Sequence, residues 1–273
     1  RFLVARCGVD TFEVATTADD VRDRVERLCS YLDARKRSVA ILLKVGMYDV
    51  NDPNTEARLA LDRAKIACDS IKGRFDQTVC LFDSKLEHLT TMQSYVVHTL
   101  DEALASGYIQ PYYQAIVRSF TSRVCSMEAL SRWVDPMRGM ISPADIIPTL
   151  ERCHLIHKHD LHIVDCVCRD LRNCLDAGEA VVPISVNLSR LDFELCDIFE
   201  QIEDIVTRYG LDRSLLDIEV TESTFHDSNT GFHEQIERFR SAGYEIWMDD
   251  FGSGYSTLNL LKDVTFDVLK IDM

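Results

Sequence analysis

The sequence predicts an α/β protein: a (β/α) barrel of the TIM type preceded by a smaller α/β unit. Three observations predict it. From Tyr108 onward, short apolar runs alternate with helix-patterned stretches. Repeating βα units form a parallel sheet, and this many in one domain indicate a barrel. Before Tyr108 the rhythm differs, and 273 residues suit two domains at roughly 100–200 residues each.

Residues 1–86 read as the smaller unit. Phe2 to Ala5 leads through a turn at Gly8 to the strand-like Phe12 to Ala15. Residues 18–35 carry helical spacing through Val21, Val25, Leu28 and Leu32. SVAILLKVG at 38–46 predicts a buried strand, 55–72 a helix and TVCLFD at 78–83 a strand. Residues 85–106 are helical with only Gly107 to stop them. The stretch 87–107 is either a stiff connector or the first helix of the next domain. That domain spans 108–273, with strands expected at 112–118, 124–129, 182–188, 215–220, 244–249 and 266–271. Helices are expected at 159–177, 190–208, 230–241 and 256–262.

The formal charge of −15 repels a polyphosphate backbone, which argues against DNA or RNA as a partner. It does not oppose a small phosphate ester held through divalent metals, because the metals reverse the local field. No run of about 18 apolar residues is present to span a membrane, and no signal-peptide pattern opens the chain. The chain starts at Arg1 and stops at Met273, and both ends read as cut from a longer parent. Ten cysteines without paired spacing read as reduced thiols in a cytoplasmic protein.

The chemistry lies at the strand ends. Glu128 closes the run from Val124, Asn187 closes VPISVN, Glu219 closes LLDIE, Asp249 and Asp250 close YEIWMDD, and Lys270 stands near the end of FDVLK. Barrel enzymes build their sites at the C-terminal ends of parallel strands. Four carboxylates and an amide make an oxygen-rich cage for hard cations such as Mg²⁺ or Mn²⁺. Without cations such a cluster repels itself in a low-dielectric pocket. Adjacent aspartates let one carboxylate bridge two metals, and a metal pair suits phosphodiester cleavage by an activated water. Lys270 could orient that water or stabilise charge on the phosphorane. A single acidic strand-end residue is more often a solvated cap; the recurrence on successive strands carries the inference.

YYQAIV at 112–117, EALSRW at 128–133, SVNLS at 185–189, IEVTES at 218–223, DDFGSGYSTL at 249–258 and LKID at 269–272 resemble, in order, the motifs of EAL phosphodiesterases. The resemblance runs from about residue 97 to the chain end. It implies a TIM-like barrel whose first strand is antiparallel to the rest, and hydrolysis of cyclic di-GMP to linear pGpG with two Mg²⁺ or Mn²⁺ ions. It implies metal ligation by Glu128, Asn187, Glu219, Asp249 and Asp250, and contact of Lys270 with the attacking water. It implies that Arg132 grips a substrate phosphate and Gln114 lies near the guanine. Glu222 matches a glutamate that pins the DDFGSG loop, and the family favours a homodimer through the barrel. Gly252 and Gly254 would shape that loop. Ala115 replaces the family's usual proline. The family continues with two more βα units, so the resemblance implies a barrel incomplete in this chain. The alternatives are a non-catalytic cyclic di-GMP receptor and a purely structural interaction module.

ARCGVDTFEV at 5–14 resembles the GGDEF hairpin of diguanylate cyclases, and DRAKIACDSIKG at 62–73 resembles that family's late helix. This implies the second half of a degenerate GGDEF domain. Val9 replaces the glycine that admits GTP, and Thr11 lacks the metal-binding carboxylate, so cyclase activity is not expected. A GTP sensor, a dimer contact, a spacer and a structural relic all remain open. His154, His157, His159 and His162 in HLIHKHDLH read as exposed helix histidines away from the strand ends. Trp133 and Trp247 read as core or wall packing.

Overall fold

A computed structural model of the chain describes residues 2–34, 43–74, 76–221, 224, 230–252 and 265–271. The chain divides into two units, Arg1–Thr91 and Met92–Met273.

In the first unit, β1 (Phe2–Arg6) and β2 (Phe12–Thr16) pair antiparallel around a turn in which Cys7 N–H donates to Thr11 O at 3.0 Å. α1 (Val21–Ala34) follows. β3 (Val45–Met47) and β4 (Val79–Leu81) run parallel, joined through α2 (Ala57–Asp69). The strand expected at 38–46 is seen only from Val45; residues 35–42 lie outside the described residues. Gly46 is required where α2 crosses β3. A Cβ there would lie 1.9 Å from Ala64 O and 2.3 Å from Cys68 N. α3 (Ser84–Ala105) is one continuous 22-residue helix with no glycine or proline to break it.

In the second unit, β5 (Ile109–Val117) pairs antiparallel with β6 (Val124–Asp135). β7 (Gly139–Ile141) is a short antiparallel addition to β6. From β6 the sheet continues in parallel through β8 (Ile184–Asn187), β9 (Leu216–Thr221), β10 (Ile246–Phe251) and β11 (Val268–Ile271). One antiparallel strand at the start of a parallel sheet is what the resemblance implied. β9 is buried along almost its whole length, as expected for a parallel strand covered on both faces.

The helices are α4 (Pro143–Arg152), α5 (Ile156–Asp176), α6 (Arg190–Leu195), α7 (Ile198–Tyr209) and α8 (Thr230–Ala242). Trp133, Leu100, Ile109, Leu150, Ile156 and Ile202 lie fully buried in one core with the apolar sheet residues. Trp247 is also buried, so both tryptophans pack as expected.

Three expectations need correction. The strand from Val124 does not end at Glu128 but runs on to Asp135, because β7 folds back to pair with its second half. The helix expected over 190–208 is two helices. Cys196 is extended, and the Asp197 side chain caps α7 by accepting from Glu200 N at 3.1 Å. α4 was not foreseen, although its signals are local: Ser142 accepts from Ala144 N, and Pro143 opens the helix. The helix expected at 256–262 lies outside the described residues.

Candidate functional site

Side chains of one parity on a strand share a face, and register decides which residues of neighbouring strands stand side by side. Asn187 on β8 lies opposite Glu219 on β9. Glu128 lies opposite Ser185 on β8 and, on the antiparallel side, opposite Gln114. Glu219 lies opposite Trp247, which places Asp249, two residues on, over the same face. Glu128 is mid-strand, but it stands one residue before the parallel pairing of β6 with β8 ends at Ala129, and so lies near the C-terminal edge of the parallel sheet.

These positions converge on Lys270. Its Nζ donates to Glu128 Oε2 at 2.8 Å and to Glu219 Oε1, and lies 3.6 Å from Asp249 Oδ1. Asn187 Nδ2 donates to Glu128 Oε1 at 3.2 Å. Glu219 is wholly buried, and its Oε2 meets no donor. Burial lifts the Glu219 carboxyl to about 7; the hydrogen bond from Lys270 opposes this, and the charges of Glu128 and Asp249 add to it. Burial would lower Lys270, but its hydrogen bonds to Glu128 and Glu219 outweigh burial and raise it. The ammonium is the counter-charge of the cluster.

Asp250 follows at a register shift between Met248 and Phe251, with φ of 56°. A bulge re-aims side chains at a strand end, and aspartate tolerates left-handed backbone better than most residues. Gly252, with φ of 100°, continues the turn. Glu222 and Gly254 lie outside the described residues.

Beside the cluster is a cavity of about 560 Å³, lined among others by Arg132, Asn187, Ser189, Glu151, His159 and Thr221. Arg132 shares the parity of Glu128 and stands about 13 Å further along β6 at ~3.3 Å per residue. The site thus has an acidic end and a cationic pocket wall joined through Asn187.

The structure overturns the exposed reading for His159 and His162 and bears it out for His154. His159 is 2% exposed and its Nε2 contacts Ser131 Oγ at 2.7 Å, on the strand that carries Arg132. His162 is partly buried against Ile109 O at 3.0 Å; His154 is exposed. Helical spacing alone placed the four together but did not say which face met the sheet. A further acid was missed. Asp217 shares the face of Glu219, is buried, and is held up at about 7 chiefly by burial and by Glu245. The two-residue spacing in LLDIE carried that signal.

As a cation site, the donor set is all oxygen, and one ammonium stands among it as a counter-charge. Among the described residues, no group of three carboxylate, thiolate or imidazole side chains is placed as a ready-made metal cage. Lys270 Nζ fills the space between the carboxylates instead. The orphaned Oε2 of Glu219 and the hard-donor chemistry nevertheless fit Mg²⁺ or Mn²⁺, provided the ammonium moves aside.

The fold and site define an α/β protein with a carboxylate-rich centre on the ends of parallel strands. The chain belongs to the EAL domain family, whose sequence model matches residues 97–273. It is 31% identical over 278 aligned positions to the bifunctional diguanylate cyclase/cyclic di-GMP phosphodiesterase MucR of Pseudomonas aeruginosa, covering 98% of this chain and 40% of that protein. The chain spans about two fifths or less of the length of curated relatives that it matches. A solved structure of the PaMucR phosphodiesterase in complex with c-di-GMP superimposes with a TM-score of 0.60 at 35% identity, covering 65% of this chain and 72% of that one. The BlrP1 manganese/cy-diGMP complex of Klebsiella pneumoniae matches with a TM-score of 0.51 at 28% identity, covering 60% and 40%. Among the described residues no helix is long and apolar enough to cross a membrane.

Proposed function

We propose that the second unit is the greater part of a TIM-like barrel that hydrolyses cyclic di-GMP to linear pGpG within a longer bacterial signalling protein. One observation carries the reading: Glu128, Glu219 and Asp249, from three strands, meet at one ammonium with Asn187 alongside. Those residues, with Asp250, would hold two Mg²⁺ or Mn²⁺ ions, which when bound supply positive charge at the scissile phosphate and lower the pKa of water. Manganese in the BlrP1 complex supports the choice of a hard divalent ion.

The remaining work falls to the chain itself. Arg132 binds a phosphate of the substrate with its planar fork. Gln114, level with Glu128 across the β5–β6 pair, reaches the guanine. Lys270, displaced from the carboxylates, donates a hydrogen bond to the attacking water and orients it. Glu222 pins the loop after Asp250, and the unit pairs with a second copy through the barrel.

The first unit is the second half of a degenerate GGDEF domain and makes no cyclic di-GMP. Val9 and Thr11 occupy its β1–β2 turn, where a nucleotide and a metal would otherwise be held. The cyclase/phosphodiesterase name of MucR, which aligns over 98% of this chain, supports the assignment.

The test is turnover of cyclic di-GMP to pGpG by the parent protein with Mg²⁺ or Mn²⁺, followed chromatographically. Wild type should be active and Glu128→Ala inactive. A parent that binds the nucleotide and metal yet leaves it intact would falsify the enzymatic reading in favour of a receptor.

A further inference from the structure

A buried polar chain lies behind the Arg132 pocket, and the proposed reaction makes no use of it. His159, Asp160 and Asp192 are 2%, 7% and 0% exposed. His159 Nε2 meets Ser131 Oγ at 2.7 Å, and its Nδ1 meets Asp160 Oδ1 at 2.6 Å. The carboxyl of Asp160 faces that of Asp192. Asp192 Oδ2 accepts from Ser189 N at 2.7 Å, and Ser189 Oγ donates to Glu151 Oε1 at 2.7 Å. One end of the chain is therefore next to Arg132 in sequence, and the other lies two residues beyond Asn187.

Counting protons fixes its direction. Two facing buried carboxyls do not both ionise. Asp192 Oδ1 is buried and meets no partner, so ionising Asp192 is costly and the proton of the pair belongs on it. Burial, reinforced by the charge of Asp160, raises Asp192 accordingly. Asp160 is then the ionised partner and accepts from His159 Nδ1–H. Burial keeps the imidazole neutral, so Nε2 carries a lone pair and takes the Ser131 hydroxyl proton. Each donor is committed, and Ser131 is tied to a fully enclosed group. Ser131 also supports Arg132 directly: Arg132 Nη1 donates to the Ser131 carbonyl at 2.8 Å.

We infer that His159 is a positioning residue for Arg132: through Ser131 it holds the strand segment and the carbonyl on which the guanidinium rests, and so sets the pocket's grip on a phosphate. The nature of that phosphate rests on the phosphodiesterase reading; the positioning does not.

The experiment compares the full chain with Ser131→Ala, His159→Leu and His159→Gln. Glutamine supplies a carbonyl oxygen to receive the Ser131 proton in place of Nε2. Three quantities are read: the Arg132 ¹⁵Nε resonance without nucleotide, cyclic di-GMP affinity by calorimetry in Ca²⁺ buffer, and the thermal midpoint. Ser131→Ala and His159→Leu should shift the Arg132 resonance and weaken binding about tenfold, the loss of one charge-assisted contact. His159→Gln should recover most of both. An Arg132 resonance and affinity unmoved in Ser131→Ala and His159→Leu, even with a lowered midpoint, overturn the inference and leave a structural role. If His159→Leu does not fold, Ser131→Ala and His159→Gln decide. If wild type binds no cyclic di-GMP, the functional reading falls, and the Arg132 resonance alone decides the positioning.

Discussion

Replacing Lys270 by methionine removes the ammonium that stands among Glu128, Glu219 and Asp249. At an effective dielectric of about 20, one pair at the 2.8 Å separation from Glu128 is worth about 6 kcal/mol before desolvation. The 3.6 Å pair with Asp249 is worth about 5 kcal/mol on the same footing. Desolvation of the ions takes back several kcal/mol each. Breaking a buried pair by deleting one partner costs about 3–5 kcal/mol, and the Lys270 side chain is 25% exposed, which puts the expected loss at about 3 kcal/mol. Urea unfolding in chelator, above the Glu219 value of about 7, measures it. Glu219→Gln in the Lys270→Met background should restore about half of the loss, because the carboxylate left unpaired is then neutral. A loss below about 0.5 kcal/mol for Lys270→Met, the size of an ordinary surface substitution, would show that the ammonium does not balance the cluster. Mg²⁺ or Mn²⁺ should shrink the loss, since a divalent ion would supply the missing charge.

Further outcomes follow from the same geometry. Glu219 is raised from 4.5 and Asp217 from 3.8, both to about 7. Their native states hold protons more tightly than the unfolded chain, so their stabilising contribution is full below about pH 4 and is lost as pH rises to about 7. In chelator, urea midpoints should therefore decline across that window, and Asp217→Asn with Glu219→Gln should flatten the decline; a midpoint that climbs instead contradicts the assignment. Trp133→Ala should cost about 3–5 kcal/mol by opening a core cavity, read by the same urea titration. Gly46→Ala should destabilise the first unit by about 1–3 kcal/mol, because the added methyl meets α2 backbone rather than a movable side chain. Hydrogen exchange of α2 amides should rise in that variant and stay unchanged in Trp133→Ala.

Much of the fold was legible because it is periodic. Apolar runs bounded by turn residues placed β5, β8, β9, β10 and β11 within a few residues of where they lie. The strand-end polar residues were equally visible, since Glu128, Asn187, Glu219, Asp249 and Lys270 each interrupt or close an apolar run. Elements built on caps were harder to see. α4 depends on Ser142 and Pro143, and the break between α6 and α7 depends on Asp197; both are signals of one or two residues inside a longer apolar pattern.

The linear chain determined which residues carry charge and which faces are apolar, because those follow from side-chain chemistry and local spacing. Only the tertiary structure decided that Lys270, 142 positions from Glu128, balances the carboxylates, and that His159 turns inward to Ser131 and not out to water. Burial and register set both outcomes: they depend on what the opposite element presents, and no local pattern encodes a partner that far away.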